Sequence, residues 1–341
     1  MSRRQGFIDE GFGERRGVVL LDGKPERLVI ERDDDFACQR LGARSAARVR
    51  TVERGQGIAF LHLPEGPDGV APVGRLAEGQ TVEVEVVAEA RDNKGPSLKV
   101  TGAGEGEPRL LAGAPSLNDR LRGWTGRPPE FQGARDVADQ AEEAALAVRH
   151  TLPGGGLISI EPTRALVAVD VDIADRRGGD AKRLAKSANL IAIAEAARLI
   201  RLKGLGGAVV IDLVGKGHDG PAMSTAAKAA FAADEPGLSI GPISRFGLFE
   251  LTVPHRFAPL ASRLLEADGS PSVPTMTHRL ARAIEREARS QPGDRIAVRC
   301  AADVALAFAP HMRAITALIG ERLSVIADPA LTRSEFTIAS Q

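Results

Sequence analysis

Val167-Ala168-Val169-Asp170-Val171-Asp172 and Ala208-Val209-Val210-Ile211-Asp212-Leu213-Val214 are the two stretches that decide the fold. Each is a short, mostly apolar run that reads as a strand, the second of the kind buried on both faces, and each carries an aspartate near its carboxyl end. Between them lie a polar turn, Asp175-Arg176-Arg177-Gly178-Gly179-Asp180, and a stretch from Ala181 to Lys203 that reads as one long helix. Gly204-Leu205-Gly206-Gly207 ends it as a glycine C-cap does. The order is strand, helix, strand. Strand side chains alternate faces, so Asp170 and Asp172 point the same way. If the strands are parallel, the crossover helix returns Asp212 to the same sheet edge.

Carboxylates converging at a strand edge repel one another, and a divalent cation relieves that repulsion. A hard, all-oxygen donor set suits Mg²⁺, or Mn²⁺, which keep waters and bind phosphate. An ion held this way activates water and steadies charge on a phosphodiester under attack. From spacing alone, the same aspartates could instead cap turns or pair with Arg176 and Arg177. Those two arginines, with Lys182, Arg183 and Lys186, form a basic cluster beside the acids, as a phosphate backbone would require.

Outward from this core, residues 1–35 alternate like strands and turn at Asp22-Gly23, which predicts a β-hairpin. From Ala43 to Gly102, short strands separated by Gly, Pro, Asp and Asn turns predict a small β-barrel. If it is an OB fold, Phe60 offers a stacking face and the loop Arg91-Asp92-Asn93-Lys94 offers phosphate contacts. The bland alternative makes Phe60 core and Lys94 a hairpin-tip lysine. Arg40, Arg44, Arg48, Arg50 and Arg54 lie in a stretch with almost no acid. Residues 103–136 lack periodicity and read as a linker or a reduced subdomain. A helix over Asp136–His150 stops at Leu152-Pro153-Gly154-Gly155-Gly156. The tail predicts helices over Thr275–Ser290 and Val304–Arg322, and strands at Ile296–Cys300, Leu323–Ile326 and Phe336–Ala339.

Composition narrows the classes. The 341 residues are 43% hydrophobic and 26% charged, the balance of an ordinary folded protein rather than a disordered one. Lys+Arg and Asp+Glu are both 45, so nucleic-acid binding must come from local patches. Two separated cysteines, Cys38 and Cys300, exclude a disulfide framework and a Cys-based zinc site. With no signal-peptide pattern and no apolar run approaching ~20 residues, the expectation is a cytoplasmic protein without membrane contact. Gly215-Lys216-Gly217 lacks the spacing of a P-loop, no G-x-S-x-G elbow occurs, and the histidines show no metal-ligand spacing.

At these residues the sequence resembles the ribonuclease E/G family. The resemblance runs through Leu152-Pro-Gly-Gly-Gly156, Ile160-Glu-Pro-Thr-Arg-Ala-Leu-Val-Ala-Val-Asp170-Val-Asp172, Gly178-Gly-Asp180 and Asn189-Leu190. It continues through Ala197-Arg-Leu-Ile-Arg-Leu-Lys-Gly-Leu-Gly-Gly207, Val210-Ile-Asp212 and Ile243-Ser-Arg-Phe-Gly-Leu-Phe-Glu-Leu251. It implies a DNase I-like catalytic subdomain in which Asp170 and Asp212 hold Mg²⁺ and single-stranded RNA is cut to leave a 5′ phosphate. Asp172 stands where the family has an orienting asparagine, and Arg245 matches an arginine of the catalytic surface. More weakly, residues 36–102 resemble the family's OB-fold insertion, with Phe60, Arg91 and Lys94 at RNA-contact positions and Val70 at that of its second aromatic. The 5′-end-reading subdomain is largely missing, and residues 252–275 lack the zinc-link cysteines, so no zinc is expected. Arg164 replaces a glutamate.

The fold expected is therefore mixed α/β (α+β). Residues 1–35 form a hairpin of a reduced RNase H-like subdomain, 36–102 an OB-type barrel and 103–150 a linker or remnant of that subdomain. Residues 151–255 form the DNase I-like catalytic subdomain and 256–341 a small C-terminal α/β domain. The function expected is a Mg²⁺-dependent endoribonuclease acting in RNA processing or decay, rRNA maturation included, with homodimerisation open. Two alternatives stand beside it: an RNA-binding protein with weak or no cleavage that regulates a full-length relative, and a phosphohydrolase of small nucleotides.

Overall fold

The computed structural model describes residues 3–91, 94–173 and 181–340. These fall into two compact units. The first comprises residues up to Phe7, Gly17–Val29 and Phe36–Pro259; the second comprises Ile8–Arg16, Ile30–Asp35 and Leu260 onward. Strands β1 (Arg4–Gly11), β2 (Glu14–Leu21) and β3 (Lys24–Arg32) form a three-stranded sheet and contribute residues to each unit. The expected hairpin thus has a third strand. Its Asp22-Gly23 turn has positive φ at both residues, 49° and 80°, the conformation an Asp-Gly pair tolerates.

In the first unit, β4 (Arg44–Glu53), β5 (Ile58–His62), β6 (Gly69–Pro72), β7 (Thr81–Ala88) and β8 (Ser97–Ala103) close a hydrogen-bonded ring in the order β4-β5-β6-β8-β7-β4. β6 and β8 pair in parallel; the other neighbours are antiparallel. The ring is filled by inward residues at every second position, such as Ala59 and Leu61 on β5 and Leu63 just after it. Phe60, between them, is half-buried on the outside, opposite Val70, so it is not core. The arginine run on β4 meets acids distant in sequence. Arg44 pairs with Glu83, Arg48 with Glu107 and Arg50 with Asp68, at 2.8–3.0 Å.

Residues 103–136 are more ordered than their sequence predicts. β9 (Arg109–Ala112) joins β4 at the ring's edge, and α1 (Leu117–Thr125) is capped by the Ser116 hydroxyl. All four β9 residues are exposed, which explains why no alternation betrays the strand. The next helix, α2 (Ala134–Leu146), stops earlier than expected, and His150 lies instead on β10 (Arg149–Thr151).

β10, β11 (Leu157–Pro162), β12 (Val167–Asp172), β13 (Gly207–Asp212), β15 (Leu248–Val253) and β14 (Ser239–Ile243) make a six-stranded sheet in that order. Only the central pair β12–β13 is parallel. The crossover is α3 (Ala181–Lys203), followed after β13 by α4 (Gly220–Ala230). Ala192, Ile193, Ala196, Ala197 and Ile200 on α3 are fully buried, as are Ile158, Val169, Val209, Ile211 and Phe249 on one sheet face. The other face is open, which corrects the expectation that β13 is buried on both sides: Ala208 and Asp212 are exposed there. Gly204, at φ 67°, ends α3 where a Cβ would lie 2.7 Å from the Ala258 carbonyl oxygen.

Lys203 anchors the end of α3 by donating to the carbonyl oxygens of Ala145, at 2.8 Å, and of Ala147. Burial pulls its pKa down to about 8. His150 sits beside it and drops to about 4, first through burial and then through repulsion by Lys203. The unfolded chain therefore takes up this proton first. Stability linked to His150 is complete above pH ~6.5 and is lost as pH falls toward 4, by about 1 kcal/mol once the half-buried ring's solvent screening is discounted. Urea titrations at pH 7 and pH 5 should show a smaller pH penalty in His150→Gln than in the native chain; an equal penalty would remove His150 as its source.

The second unit holds α5 (Leu260–Leu264), α6 (Val273–Ser290), β16 (Ile296–Cys300), α7 (Ala302–Phe308), α8 (Met312–Ile319), β17 (Leu323–Ala327) and β18 (Phe336–Ser340). β16 is central, parallel to β17 and antiparallel to β18. Leu280 and Ile284 on α6 pack with Ile296, Val298, Phe308 and Ile315. The single helix expected over Val304–Arg322 is two, separated by a 3₁₀ turn, Ala309–His311, that contains Pro310. Proline has no amide hydrogen to continue the ladder. By length and composition alone, Ala302–Ile319 is apolar enough to cross a membrane, contrary to the expectation that no stretch is.

Candidate metal centre

The register of the central strand pair builds the site. Val167 stands opposite Val209, Val169 opposite Ile211, and Asp170 opposite Asp212. The three valines and the isoleucine point into the packing beneath α3, so the alternate residues, Asp170 and Asp212 included, occupy the open face. Neighbouring strands are about 4.8 Å apart, which sets the spacing of the two Cα atoms. Both carboxylates are solvent-exposed, and neither has a hydrogen-bond or ion-pair partner among the described residues.

Around them, the same row continues with Ser159 on β11 and Leu248 on β15. Asp172 shares the face but stands one row further along, opposite Leu157. Glu250 is one row in the other direction, opposite Val210. Among the described residues no three Asp, Glu, His or Cys side chains gather into a metal-binding group. The donor set is therefore a pair of hard oxygens, with the remaining positions open to water and ligand. Mg²⁺ is commonly held this way, by one or two carboxylates plus substrate phosphates, whereas structural zinc takes four protein ligands. The residues present fit Mg²⁺ or Mn²⁺.

Arg245 lies on the turn between β14 and β15, three residues before Leu248. The Ser244 hydroxyl accepts from the Phe246 and Leu248 amides, each at 3.3 Å, and shapes this turn. Arg245 is exposed, and its guanidinium stacks over the Phe246 ring at 4.7 Å. Phe246 is 73% exposed. Together with Lys216, His218 and Gly247 they line a cleft of about 970 Å³ at the edge where β13 ends.

Asn189 is the positioning residue whose job the sequence did not reveal. It is 1% exposed, donates to the Val214 carbonyl and accepts from the Val214 amide, both at 3.0 Å. The backbone leaving Asp212 is thereby tied to α3. A lone asparagine on the apolar side of a helix, between Ala188 and Ala192, was the available signal.

Of the other expected contacts, Arg91 and Lys94 bridge across their loop through Arg91 N to Lys94 O, 3.0 Å, and Lys94 N to Arg91 O, 2.7 Å. The Lys94 side chain is exposed. Arg176 and Arg177 lie outside the described residues, as do Gly178, Gly179 and Asp180. Cys38 and Cys300 are buried free thiols.

Residues 110–255, which contain all of this sheet, match the family model described as the ribonuclease E/G family. This segment is similar to the ribonuclease E/G family. Ribonuclease E of Escherichia coli (strain K12) is 35% identical over 143 residues, 41% of this chain and 13% of that protein. Ribonuclease E of Haemophilus influenzae is 35% identical over 141 residues, 40% of this chain and 15% of the relative. Ribonuclease G of Escherichia coli is 23% identical over 241 residues, 66% of this chain and 48% of the relative. The chain thus spans less than half the length of these relatives. The matched segment contains the in-register aspartates and the Arg245 turn.

Proposed function

We propose that this chain is an endoribonuclease that cleaves single-stranded RNA, with Mg²⁺ held by Asp170 and Asp212. The carrying observation is the pairing of these two carboxylates, without partners among the described residues, in one row of an open sheet face. Carboxylates left unneutralised on a surface facing a polyanion would oppose binding; a cation between them reverses that sign. A bound divalent ion supplies Lewis-acid stabilisation of the phosphodiester and an activated water.

The chain's own residues do the rest. Asp172, one row away, orients waters or lies in the second coordination layer. Arg245 steadies a phosphate beside Asp212, and the exposed Phe246 ring offers a base a stacking surface. Phe60, on the outside of the strand ring, stacks a base, while Arg91 and Lys94 hold backbone phosphate. The ring's five-stranded Greek-key order supports its reading as an OB-type barrel. Arg176 and Arg177 are assigned to RNA contact from sequence alone. The setting proposed is RNA processing or decay in the cytoplasm.

Incubation of 5′-labelled single-stranded RNA with the protein tests this. Internal cleavage with Mg²⁺ and none with EDTA is expected. Binding without cleavage would make the chain an RNA-binding protein; turnover of mononucleotides alone would make it a phosphohydrolase. Lys94→Ala is expected to weaken RNA binding several-fold and flatten its salt dependence by about 0.7 in log–log slope, the share of one single-strand phosphate contact. An unchanged slope would place this loop away from RNA.

A further inference from the structure

Two residues beyond Asp212, where β13 has ended, a second pocket opens. It holds about 420 Å³ and is lined by Lys182, Lys186, Asn189, Lys216, His218 and Asp219, with a small apolar floor that includes Met223. The Asn189–Val214 hydrogen bonds set its inner wall. Gly215 and Gly217, at φ 89° and 66°, let the loop fold back over it. A Cβ at Gly215 would come within 3.0 Å of the Ala185 side chain.

Three ammonium groups face one carboxylate here. Asp219 accepts from Lys186 Nζ at 2.7 Å and, as the cap of α4, from the Ala222 amide at 3.1 Å. Lys216 is exposed on the glycine loop and has no ion-pair or hydrogen-bond partner among the described residues. A small cavity with a cationic excess and few apolar walls suits a compact anion, not a base or an apolar ligand. The loop that lines the pocket leaves β13 directly after Asp212, so an anion seated here lies only a few residues of chain from that carboxylate.

We propose that this pocket is a phosphate subsite for single-stranded RNA: Lys216 and Lys186 hold the backbone phosphate next to the scissile one, and Asp219 competes with that phosphate for Lys186. The proposal rests on the endoribonuclease reading above. It fixes register, because a strand gripped one phosphate away cannot slide while the scissile group is attacked.

The test is RNA binding by the full chain in EDTA, where no cleavage is needed. Anisotropy of a labelled single-stranded decamer is followed across a salt series for the native chain, Lys216→Ala and Asp219→Asn. Lys216→Ala should weaken binding about fivefold and flatten the salt slope by about 0.7. Asp219→Asn keeps a capping side chain and should tighten binding about fivefold. Opposite signs are not expected of two variants that merely disturb the loop, and unchanged thermal melts confirm folding. Replacing single linkages by neutral methylphosphonate should abolish the Lys216→Ala effect at one linkage only. Native-like binding by both variants, or shifts of the same sign, would overturn the subsite. Lysine- and aspartate-dependent binding of inorganic phosphate without any effect on RNA would also overturn it, in favour of a small-anion site. If these shifts appear but Mg²⁺ elicits no cleavage, the nuclease reading fails and the subsite stands; cleavage without the shifts removes the subsite alone.

Discussion

Asp212→Asn is expected to lower the single-turnover cleavage rate by at least about a thousandfold, some 4 kcal/mol of transition-state stabilisation. The change is isosteric, so the register with Asp170 and the packing of Ile211 beneath it are preserved. What disappears is one of the two charged oxygen donors that the described residues place side by side in this row. An amide oxygen carries no charge to hold a hard dication. RNA affinity measured in EDTA should be equal or higher, because a negative charge has left a surface that faces phosphate. Asp170→Asn should behave alike, and the double variant should be little worse than either single one, since the two act as a unit. Cleavage at the native rate by Asp212→Asn would remove this residue from the chemistry.

Arg201→Ala is expected to cost about 3 kcal/mol of stability in urea titration, the lower end of what breaking a buried ion pair costs. Arg201 sits on α3 with its side chain 4% exposed, and it holds Asp234 at 2.6 Å and Glu26 at 3.1 Å. Removing it leaves two buried carboxylates with fewer cations. Arg4 still reaches Glu26 at 2.6 Å, and Arg27 is 3.9 Å from Asp234, which keeps the loss from being larger. Arg44→Ala supplies the contrast. Its pairing with Glu83 is half-exposed, and its loss should stay within about 0.5 kcal/mol. Equal effects from the two variants would mean that burial does not set the worth of these pairs.

The central sheet was legible because apolar alternation, an uninterrupted helix and a glycine stop follow one another between Val167 and Val214. Period-two side-chain geometry then put Asp170 and Asp172 on one face, and parallel pairing did the same for Asp212. Which of Asp170 and Asp172 stands opposite Asp212 was not legible from alternation, since it depends on where the pairing register falls. Nor was the pairing of the β4 arginines: Glu83, Glu107 and Asp68 reach them only through the folded ring. Strand β9 was hidden by having no buried face, and the break at Pro310 by an otherwise apolar helical run. Lys216 and His218 were passed over because the loop matches no phosphate-binding pattern; their grouping with Lys186 comes from Asn189 folding that loop onto α3.

Manganese titration followed by electron paramagnetic resonance tests the central claim most directly, since it reports ion binding without RNA or turnover. The native chain should bind one Mn²⁺ that Mg²⁺ displaces, and Asp170→Asn and Asp212→Asn should each lose it while melting normally. Undiminished Mn²⁺ binding in both variants would contradict the assignment of this carboxylate pair as the metal centre.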